Sequence, residues 1–276
     1  MRDTEFHWFR DFLQRKSGIV IQQDKKYLIQ TRLQPLLKTH AASDINTLIY
    51  RIRQQESSAV AEAAVDAMTT NETLFFRDQY PYEALETLIL PELTHGKHRL
   101  SPIRIWSAAA SRGQEAYSIA IAASESIPQA HKRVKILGTD LSQEAICYAK
   151  KGEYSQMEVQ RGMPVTRLVR FFNQDEQKEV WSISSDIKSM VQFQTANLVD
   201  DLLPSQVRRF GPFDIVFLRN VLIYFTIEER KKVIDRVAKT MSPDGYLITG
   251  AAELPSGNQS KWKPVLFKGK RLWQLA

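Results

Sequence analysis

Apolar side chains recur at helical spacing through the first part of the chain. Over residues 6–13 and 27–37 they return every three or four positions, which is the period of an amphipathic helix. Asp44 and Ser57 precede two further helical segments, and both residue types favour the N-cap position. Because no strand pattern interrupts these segments, we predict an all-helical domain over residues 1–70, suited to docking or to closing over a site.

From residue 103 onward, apolar strands alternate with amphipathic helices. This alternation predicts a parallel, doubly wound α/β sheet. Two apolar segments around a Lys-Gly-Lys turn, over residues 265–275, predict a terminal hairpin. The predicted strands are 103–108, 134–139, 214–218 and 245–250, and the predicted helices are 78–93, 113–126, 142–150 and 227–241.

Residues 151–197 interrupt the alternation. A helix over 166–172 and short strands over 180–184 and 191–194 are the elements that this segment predicts. We interpret it as a small insertion subdomain within a second domain that covers residues 71–276.

Composition limits the partners and the cellular location that can be expected for this protein. With 38 basic and 31 acidic residues, the 276-residue chain has a net charge of +7, which permits a nucleic acid, an acidic membrane surface or an acidic protein as partner. The start of the chain is too charged for a secretory signal, and no apolar run reaches the ~18 residues of a membrane span. We therefore expect a cytoplasmic protein without direct membrane insertion.

Cysteine and histidine usage argues against disulfides and metals. The single cysteine, Cys147, excludes an internal disulfide and a cysteine-based metal site, and we expect it on the core face of a helix. The five histidines have no metal-ligand spacing, and His95 and His98 fall in a polar loop. We expect no bound metal.

The stretch RIWSAAASRGQEAYSIA, residues 104–120, has the pattern of a buried strand, a turn of small residues and the start of a helix. In an α/β chain this is where a nucleotide-type ligand binds. The turn has the sequence ASRG instead of a glycine-rich GxGxxG, so it offers no obvious cradle for a pyrophosphate. This favours a cofactor without phosphates over a nicotinamide dinucleotide, although an ordinary strand-to-helix turn has the same pattern.

Two acidic residues stand at ligand-binding positions of such a fold. Asp140 ends the second predicted strand, where a carboxylate accepts hydrogen bonds from ribose hydroxyls, but it could instead cap the next helix in competition with Ser142. Glu115 lies in the first turn of its helix, where it favours the positive helix end or could pair with a ligand ammonium group.

Three further segments carry candidate binding residues. In TNETLFFRD, Asn71, Thr73 and Arg77 could close over a ligand, although Asn71 or Thr73 could simply cap a helix. Arg219 and Asn220 follow an apolar strand, so Arg219 would be partly buried and would need a partner. Asn197 follows a short strand and could contact an adenine edge or simply end that strand.

Motifs of several other enzyme classes are missing. The chain shows no Ser-His-Asp or Cys-His arrangement and no Walker lysine loop. It also lacks a DPPY or NPPY tetrapeptide, which makes methylation of nucleic-acid bases less favoured.

Taken in order, seven segments resemble the CheR family of chemotaxis-receptor methyltransferases. They span residues 69–253, and the helical N-terminal domain resembles that of the family as well. The segments are TTNETLFFRD, RIWSAAASRGQEAYSIA, ILGTDLSQEAICYAKKGEY, RGMPVTRLVRFF, VQFQTANL, FDIVFLRNVLIYF and SPDGYLITGAAE.

The resemblance implies a Rossmann-like enzyme that uses S-adenosylmethionine, with S-adenosylhomocysteine as product, to methylate glutamate side chains on chemoreceptor cytoplasmic helices. Carried over by position, Glu115 and Asp140 would hold the amino group and the ribose of the cofactor. Tyr224 would lie near the methyl-transfer centre, and we expect Arg77 and Tyr224 to position the substrate or the methionine end of the cofactor. The other cofactor contacts would be Asn71, Thr73, Arg77, Asn197, Leu198, Arg219 and Asn220.

This sequence departs from the family pattern at three places. Arg112 stands where the family often has Thr, and AAE (251–253) stands where it often has His-Ser-Glu; we expect activity to survive both. Some members bind a C-terminal receptor pentapeptide through a glycine-rich loop of the small β-subdomain. The corresponding NQDEQKEVW contains no glycine and is a few residues shorter, so we expect no pentapeptide tether.

The helical domain carries a candidate docking surface. Residues 25–53 hold Lys25, Lys26, Arg32, Lys38, Arg51 and Arg53 against only Asp24 and Asp44. This excess of positive charge suits an acidic receptor helix, although an ordinary solvated face has a similar composition.

Two other functions stay open on the sequence alone. The first is methylation of RNA or a small molecule, but no strand platform of aromatic and basic residues supports a nucleic-acid partner. The second is a non-catalytic regulator that binds the cofactor.

Overall fold

The computed structural model describes residues 1–95, 101–175, 177, 179–250, 253 and 261–276. Within these ranges the chain divides into two units. The first comprises Met1–Thr70 and Tyr224–Arg230, and the second comprises Asn71–Ile223 and Lys231–Ala276. None of the described helices is both long and apolar enough to cross a membrane.

Residues 1–70 of the first unit form four helices and a short 3-10 turn, Gln23–Lys25. Its core is formed by side chains that recur at helical spacing, such as Phe9, Leu13, Leu48 and Ile52, all fully buried. The predicted all-helical character of this segment is confirmed. The helices are α1 (Asp3–Ser17), α2 (Lys26–Thr39), α3 (Ile45–Gln54) and α4 (Ala59–Ala67).

One of the two predicted N-caps of this unit is correct and the other is one residue off. The Asp44 carboxylate accepts the Thr47 N–H (2.7 Å) and caps α3 as predicted. Helix α4 is capped by Ser58, which accepts the Ala61 N–H (3.4 Å), and not by Ser57. The reason is that the first helical residue directly follows Ser58, so Ser57 lies too far from the first free N–H groups.

The second unit carries two sheets. The strands are β1 (Ile103–Ser107), β2 (Val134–Asp140), β3 (Glu153–Ser155), β4 (Phe172–Asp175), β5 (Val180–Ile183), β6 (Val191–Thr195), β7 (Phe213–Leu218), β8 (Met241–Thr249), β9 (Trp262–Phe267) and β10 (Lys270–Leu275). The large sheet has seven strands in the order β6-β2-β1-β7-β8-β10-β9. Its first five strands pair in parallel, and β10 pairs antiparallel with both β8 and β9.

This topology confirms the predicted fold class, a doubly wound α/β sheet with a terminal hairpin. Strand β7 is buried at every position, as expected for a central parallel strand that is covered on both faces. The helices after residue 70 are α5 (Tyr80–Ala84), α6 (Leu90–His95), α7 (Gln114–Ser126), α8 (Ala130–Arg133), α9 (Gln143–Lys151), α10 (Gln156–Gln160), α11 (Val165–Phe171), α12 (Ser185–Ser189), α13 (Leu203–Val207) and α14 (Ile227–Ala238).

The small sheet is antiparallel and has the order β3-β5-β4. It lies inside the segment that the sequence marks as an insertion. Strand β6, the last strand of that segment, pairs with β2 and belongs to the large sheet, so the insertion is shorter than the predicted 151–197. A short segment of alternating apolar and polar residues, such as VQFQ, does not reveal which sheet it joins, because pairing partners are set by tertiary structure.

The helix predicted over 78–93 is confirmed to within two residues at each end, and the prediction for Cys147 is wrong. The helix predicted over 78–93 begins at Tyr80, without a side-chain cap, so neither Asn71 nor Thr73 caps it. A π-helical turn, Leu85–Ile89, joins α5 to α6. Cys147 is exposed and does not lie on the core face of α9, because that helix turns its neighbours Ile146 and Ala149 inward instead.

Candidate functional site

The site that the topology favours lies at the carboxyl ends of the central strands. From β1 the chain runs to β2 and β6 on one side of the sheet, and then to β7 and β8 on the other. Ligands of open α/β sheets bind outside the carboxyl ends at such a reversal. Ser107, Asp140 and Leu218 end three of these strands, so the predicted residues Glu115, Asp140 and Arg219 lie along this edge.

The turn after β1 is held between the two neighbouring strands. The Ala108 N–H donates to the Phe217 carbonyl of β7, and the Ala110 N–H donates to the Thr139 carbonyl of β2, both at 2.8 Å. These two hydrogen bonds hold the turn at the point where the strand order reverses, and they do so without a glycine-rich sequence.

Gly113 closes this turn and begins α7. Its φ of +95° lies in the left-handed region, and a Cβ at this position would lie 2.9 Å from the Ala149 Cβ and 2.9 Å from the Tyr154 hydroxyl. Only glycine satisfies both conditions. The glycine of ASRG therefore serves the packing of the turn against α9 and the small sheet.

Asp140 is held in one orientation by backbone groups. One carboxylate oxygen accepts the Ser111 N–H (2.8 Å) and the other accepts the Ser142 N–H (3.0 Å). The N-cap of α9 is Ser142, whose hydroxyl accepts the Ala145 N–H (3.0 Å). Ser142, and not Asp140, is thus the N-cap of α9. The Asp140 carboxylate lies at the end of β2.

Asn71 connects the two loops that flank Asp140. Its carbonyl accepts a hydrogen bond from the Ser111 hydroxyl (2.9 Å), and its side-chain amide donates to the Ser142 hydroxyl (3.4 Å). Thr73 lies on the same segment and lines a cavity of about 190 Å³ together with Asn71 and Gln114. The segment that precedes α5 is therefore anchored at the ligand edge.

Arg219 is 3% exposed and is surrounded by oxygen acceptors. One guanidinium nitrogen donates to Glu115 (2.9 Å), and another donates to Asp78 (2.7 Å) and to the Arg77 carbonyl (2.9 Å). The other Glu115 oxygen accepts the Ser107 hydroxyl (2.7 Å). Two of the three guanidinium nitrogens of Arg219 thus have acceptors, whereas its buried Nε has none among the described residues. The main partners of Glu115 are side chains at strand ends.

The cluster around Arg219 brings charges of both signs into close contact. Burial raises the pKa of the Glu115 carboxyl, while the Arg219 guanidinium and the Ser107 hydrogen bond oppose that rise; Arg77 also lowers it. Two carboxylates, Glu115 and Asp78, surround the single guanidinium of Arg219. Arg77 adds a second positive charge near Glu115, so two carboxylates face two guanidinium groups when both acids are ionised.

Arg77 and Tyr82 complete the surroundings of Arg219. The Arg77 side chain makes a long contact (3.5 Å) with the Glu72 carbonyl. The Tyr82 ring lies 5.9 Å from the Arg219 guanidinium carbon, and its buried hydroxyl has no hydrogen-bond partner among the described residues. Arg77 is half-buried, and its charge acts on Glu115, so the two residues lie at the same edge.

Asn220 follows Arg219 in a left-handed conformation, with a φ of +58°. Its N–H donates to the Glu253 carboxylate (2.7 Å), which also accepts the N–H groups of Gly250 (2.9 Å) and Ile223 (3.2 Å). Glu253, the last residue of AAE, therefore fixes the loop after β7; Ala251 and Ala252 lie outside the described residues.

Asn197 and Leu198 follow β6. The Asn197 side-chain oxygen accepts the Val199 N–H (3.2 Å), and the residue lines an open depression of about 450 Å³. The Leu198 side chain is buried, and its carbonyl accepts a hydrogen bond from Arg236 (3.5 Å). Asn197 thus lies at the surface of the depression, whereas the Leu198 side chain is buried.

Tyr224 is the one predicted site residue that belongs to the first unit; the others belong to the second. It ends a 3-10 turn, Leu222–Tyr224, and its carbonyl accepts the Val20 N–H (3.0 Å).

Several residues that organise the site were not predicted. Asp78 binds Arg219, Ser107 binds Glu115, and Ser111 binds Asp140 through its backbone. No periodic or motif signal singles out these residues in the sequence. Asp78 directly follows the predicted Arg77, and a buried arginine needs an acid, but the sequence does not reveal which one.

Two family models match this chain. The model described as "CheR methyltransferase, all-alpha domain" matches residues 4–69, and the model described as "CheR methyltransferase, SAM binding domain" matches residues 71–269.

Curated relatives are similar over nearly their whole length. "Chemotaxis protein methyltransferase Cher2" of Pseudomonas putida is 38% identical over 267 residues, which cover 95% of this chain and 94% of the relative. "Chemotaxis protein methyltransferase 1" of Pseudomonas aeruginosa is 41% identical over 257 residues, which cover 91% and 90%. A "Chemotaxis protein methyltransferase" of Vibrio parahaemolyticus is 38% identical over 266 residues, which cover 95% and 94%.

Proposed function

Since this chain belongs to the CheR methyltransferase family, we propose that it methylates glutamate side chains on the cytoplasmic helices of chemoreceptors and forms glutamyl methyl esters for sensory adaptation. Its cofactor is S-adenosylmethionine. When bound, this cofactor supplies an electrophilic methyl group on a sulfonium centre. The alternatives, methylation of RNA or a small molecule and a purely regulatory protein, are not favoured by the family assignment.

The residues at the strand ends fit the chemistry of this cofactor. Asp140 offers acceptors for a ribose diol, and Glu115 offers a carboxylate for an ammonium group. The turn after β1 is built from small residues and makes no phosphate cradle, which agrees with a cofactor that lacks phosphates.

The observation that carries the proposal is the placement of two oriented carboxylates at the carboxyl ends of neighbouring parallel strands, Asp140 at the end of β2 and Glu115 in the first turn of the helix that follows β1. Ser107, which holds Glu115, ends β1, and Asp140 ends β2 beside it. In our assignment Asn71, Thr73, Arg77, Asn197, Leu198, Arg219 and Asn220 complete the cofactor site.

The reaction needs little acid–base chemistry from the protein. A glutamate carboxylate has a pKa of about 4.3, so at neutral pH it is already an ionised nucleophile. What the protein must supply is alignment of the carboxylate oxygen with the methyl group, together with partial exclusion of water. We assign this positioning to Arg77 and Tyr224.

We propose that the domain over residues 1–70 docks the receptor through its basic face, and that residues 71–276 carry the reaction. Contacts within the first unit reduce the number of basic residues that could bind the receptor. Arg32 donates to the carbonyls of Met68 and Thr69, and Lys26 pairs with Asp3 (2.6 Å), so both are engaged within the unit. Arg51 and Arg53 of α3 also make contacts within the unit, with the His40 carbonyl (2.8 Å) and with the Trp8 ring (6.0 Å). Both residues are exposed, however, so they are the better candidates.

The same proposal implies a location and a set of partners. The protein would act in the cytoplasm and associate transiently with membrane receptor arrays. Its partners would be the acidic methyl-accepting helices, without a C-terminal pentapeptide tether and without nucleic acid.

Calorimetric titration with S-adenosylmethionine and S-adenosylhomocysteine tests the cofactor site. We expect micromolar or tighter binding that is lost on Asp140→Ala and retained on Asp186→Ala, a control at an exposed position of α12. Receptor-containing membranes with labelled cofactor then test the substrate, because a methyl label that is released by base identifies a carboxyl ester. Absence of binding to either cofactor would contradict the proposed site, and a base-stable label would contradict the proposed substrate.

A further inference from the structure

A second cavity lies at the opposite edge of the large sheet, near the amino ends of β1 and β2. Its volume is about 200 Å³. The floor is apolar and is formed by buried side chains, among them Leu137, Met190 and Phe213. Lys135 at its rim is five residues from Asp140 on the same strand, which corresponds to about 16 Å. The cavity is therefore separate from the proposed cofactor site.

Three cations line this cavity, and no acidic residue does: Arg104, Lys135 and Arg209. Arg104 and Lys135 are register partners on parallel neighbouring strands, so their side chains leave the sheet on the same face. Leu137, two positions after Lys135, lies on that face as well and contributes to the floor. The register of β1 and β2 thus places two positive charges above an apolar surface.

The positive charges of this rim are not neutralised by ion pairs with the described residues. Asp214, the acid near Arg104, accepts its backbone N–H (2.9 Å) and the Ser242 hydroxyl instead of the guanidinium. Among the described residues, the three side chains donate hydrogen bonds to neutral oxygens: Arg104 to the Gly211 carbonyl (2.9 Å), Lys135 to the His131 carbonyl (3.4 Å) and Arg209 to the Gln194 amide oxygen (3.1 Å).

The wall of the cavity favours a flat apolar group. The turn that follows α13 contributes Phe210 and Arg209, and the Arg209 guanidinium carbon lies 4.6 Å from the Phe210 ring centroid. Guanidinium and aromatic planes stack on ring systems, and a guanidinium also binds carboxylate or phosphate in its own plane.

We propose that this cavity binds a small aromatic anion, with its ring on the apolar floor and its carboxylate or phosphate on the cationic rim. The cavity is smaller than a typical site for a drug-sized ligand, so it holds one ring and its charged group. A mononucleotide and an aromatic carboxylate share this chemistry. Because the site lies at the amino ends of the strands, its occupant does not compete with the cofactor.

The test is calorimetric titration of the full chain with two anions and their uncharged analogues, with and without saturating S-adenosylhomocysteine. The pairs are UMP with uridine, and indole-3-acetate with indole-3-ethanol. We expect at least one anion to bind, its uncharged analogue to bind about tenfold more weakly or not at all, and S-adenosylhomocysteine to leave the affinity unchanged. Binding of UMP alone would identify a phosphate site, and binding of indole-3-acetate alone a carboxylate site.

Matched variants locate the binding. Lys135→Gln and Arg209→Gln remove one rim charge each and should each weaken the anion about tenfold. Arg208→Gln makes the same change at an exposed neighbour that does not line the cavity and should have no effect. All three positions are exposed or at the rim, and unchanged S-adenosylhomocysteine affinity would show that the fold and the cofactor site are intact.

Three results would overturn the proposal: no binding of either anion at millimolar concentration, displacement by S-adenosylhomocysteine, or equal loss of affinity in Arg208→Gln. Each is distinct from a failure of the proposed function, because cofactor affinity is measured separately and the anion titrations are also made without cofactor.

Discussion

Arg219 and Glu115 form an ion pair of 2.9 Å in the interior of the second unit, although 104 residues separate them along the chain. Strand β7 delivers the arginine and the first turn of α7 delivers the acid. The pair joins the two sides of the sheet at its point of reversal. It therefore holds together the place where the cofactor is proposed to bind.

Arg219→Met should leave Glu115 buried without its cation. Breaking a buried pair in this way costs about 3–5 kcal/mol of unfolding free energy at neutral pH. The loss should shrink toward acid pH. Burial already raises the pKa of Glu115, and removal of Arg219 raises it further. A carboxyl group whose pKa is higher in the folded state than in the unfolded state stabilises the protein below its unfolded-state pKa. This stabilisation is lost as the pH rises through the folded-state pKa.

Urea unfolding at acid and neutral pH measures this effect. Lys268→Met is the control, because its pair with Glu83 is exposed and should contribute at most about 1 kcal/mol. A loss for Arg219→Met that is no larger than that of the control, or that is independent of pH, would contradict the assigned role of the pair.

Gly113→Ala should destabilise the turn after β1. The φ of +95° costs an alanine about 1–3 kcal/mol, and the contact of its Cβ with Ala149 adds to that. Gly269→Ala is the matched control, since its φ of +75° is also left-handed but no atom lies within 4 Å of the added Cβ. Thermal unfolding should show a larger loss at position 113, and cofactor affinity should fall there alone, because Ser111 in this turn orients Asp140. Equal losses in both variants would show that packing at Gly113 is unimportant.

Arg77→Lys and Tyr224→Phe should both lower kcat in a receptor methylation assay. The lysine keeps the charge but loses the planar fork, and the phenylalanine keeps the ring but loses the hydroxyl. The carbonyl of residue 77 still accepts the bond from Arg219, so the fold should be retained. If turnover stays unchanged in both variants, neither side chain positions the substrate or the methionine end of the cofactor.

Charge reversal at Arg51 and Arg53 should raise the KM for receptor. The long-range attraction to an acidic helix would be lost, so KM should also depend less on salt. Initial rates at several ionic strengths measure both effects. Lys263→Glu, on the exposed face of β9 in the second unit, is the control and should behave as the parent protein. A parallel change in the control would indicate that net charge, and not this surface, is responsible.

Calorimetry with a receptor C-terminal pentapeptide should show no binding. The segment 173–181 contains no glycine, and its described residues continue from β4 into β5. A receptor from which only the C-terminal tail has been removed should then be methylated as well as the intact receptor. Measurable affinity for the peptide would contradict this expectation.

The local character of most elements could be predicted from sequence because it depends on neighbouring residues. Helical spacing identified the first unit, and alternation of strands with helices identified the doubly wound sheet. The errors occurred where one residue of shift or one tertiary contact decides the outcome. Ser58 and not Ser57 caps α4, Cys147 faces outward, and β6 joins the large sheet.

By itself, the sequence determined the order of elements, the fold class and the positions of Asp140 and Arg219 at strand ends and of Glu115 at a helix start, because these depend on periodicity and on the chain direction of parallel strands. Only the tertiary structure decided which partners these residues have. Asp78 reaches Arg219 across 141 residues, and Glu253 reaches Asn220 across 33. Such pairs follow from strand order and register, which place distant segments within hydrogen-bond distance and leave no local trace in the chain.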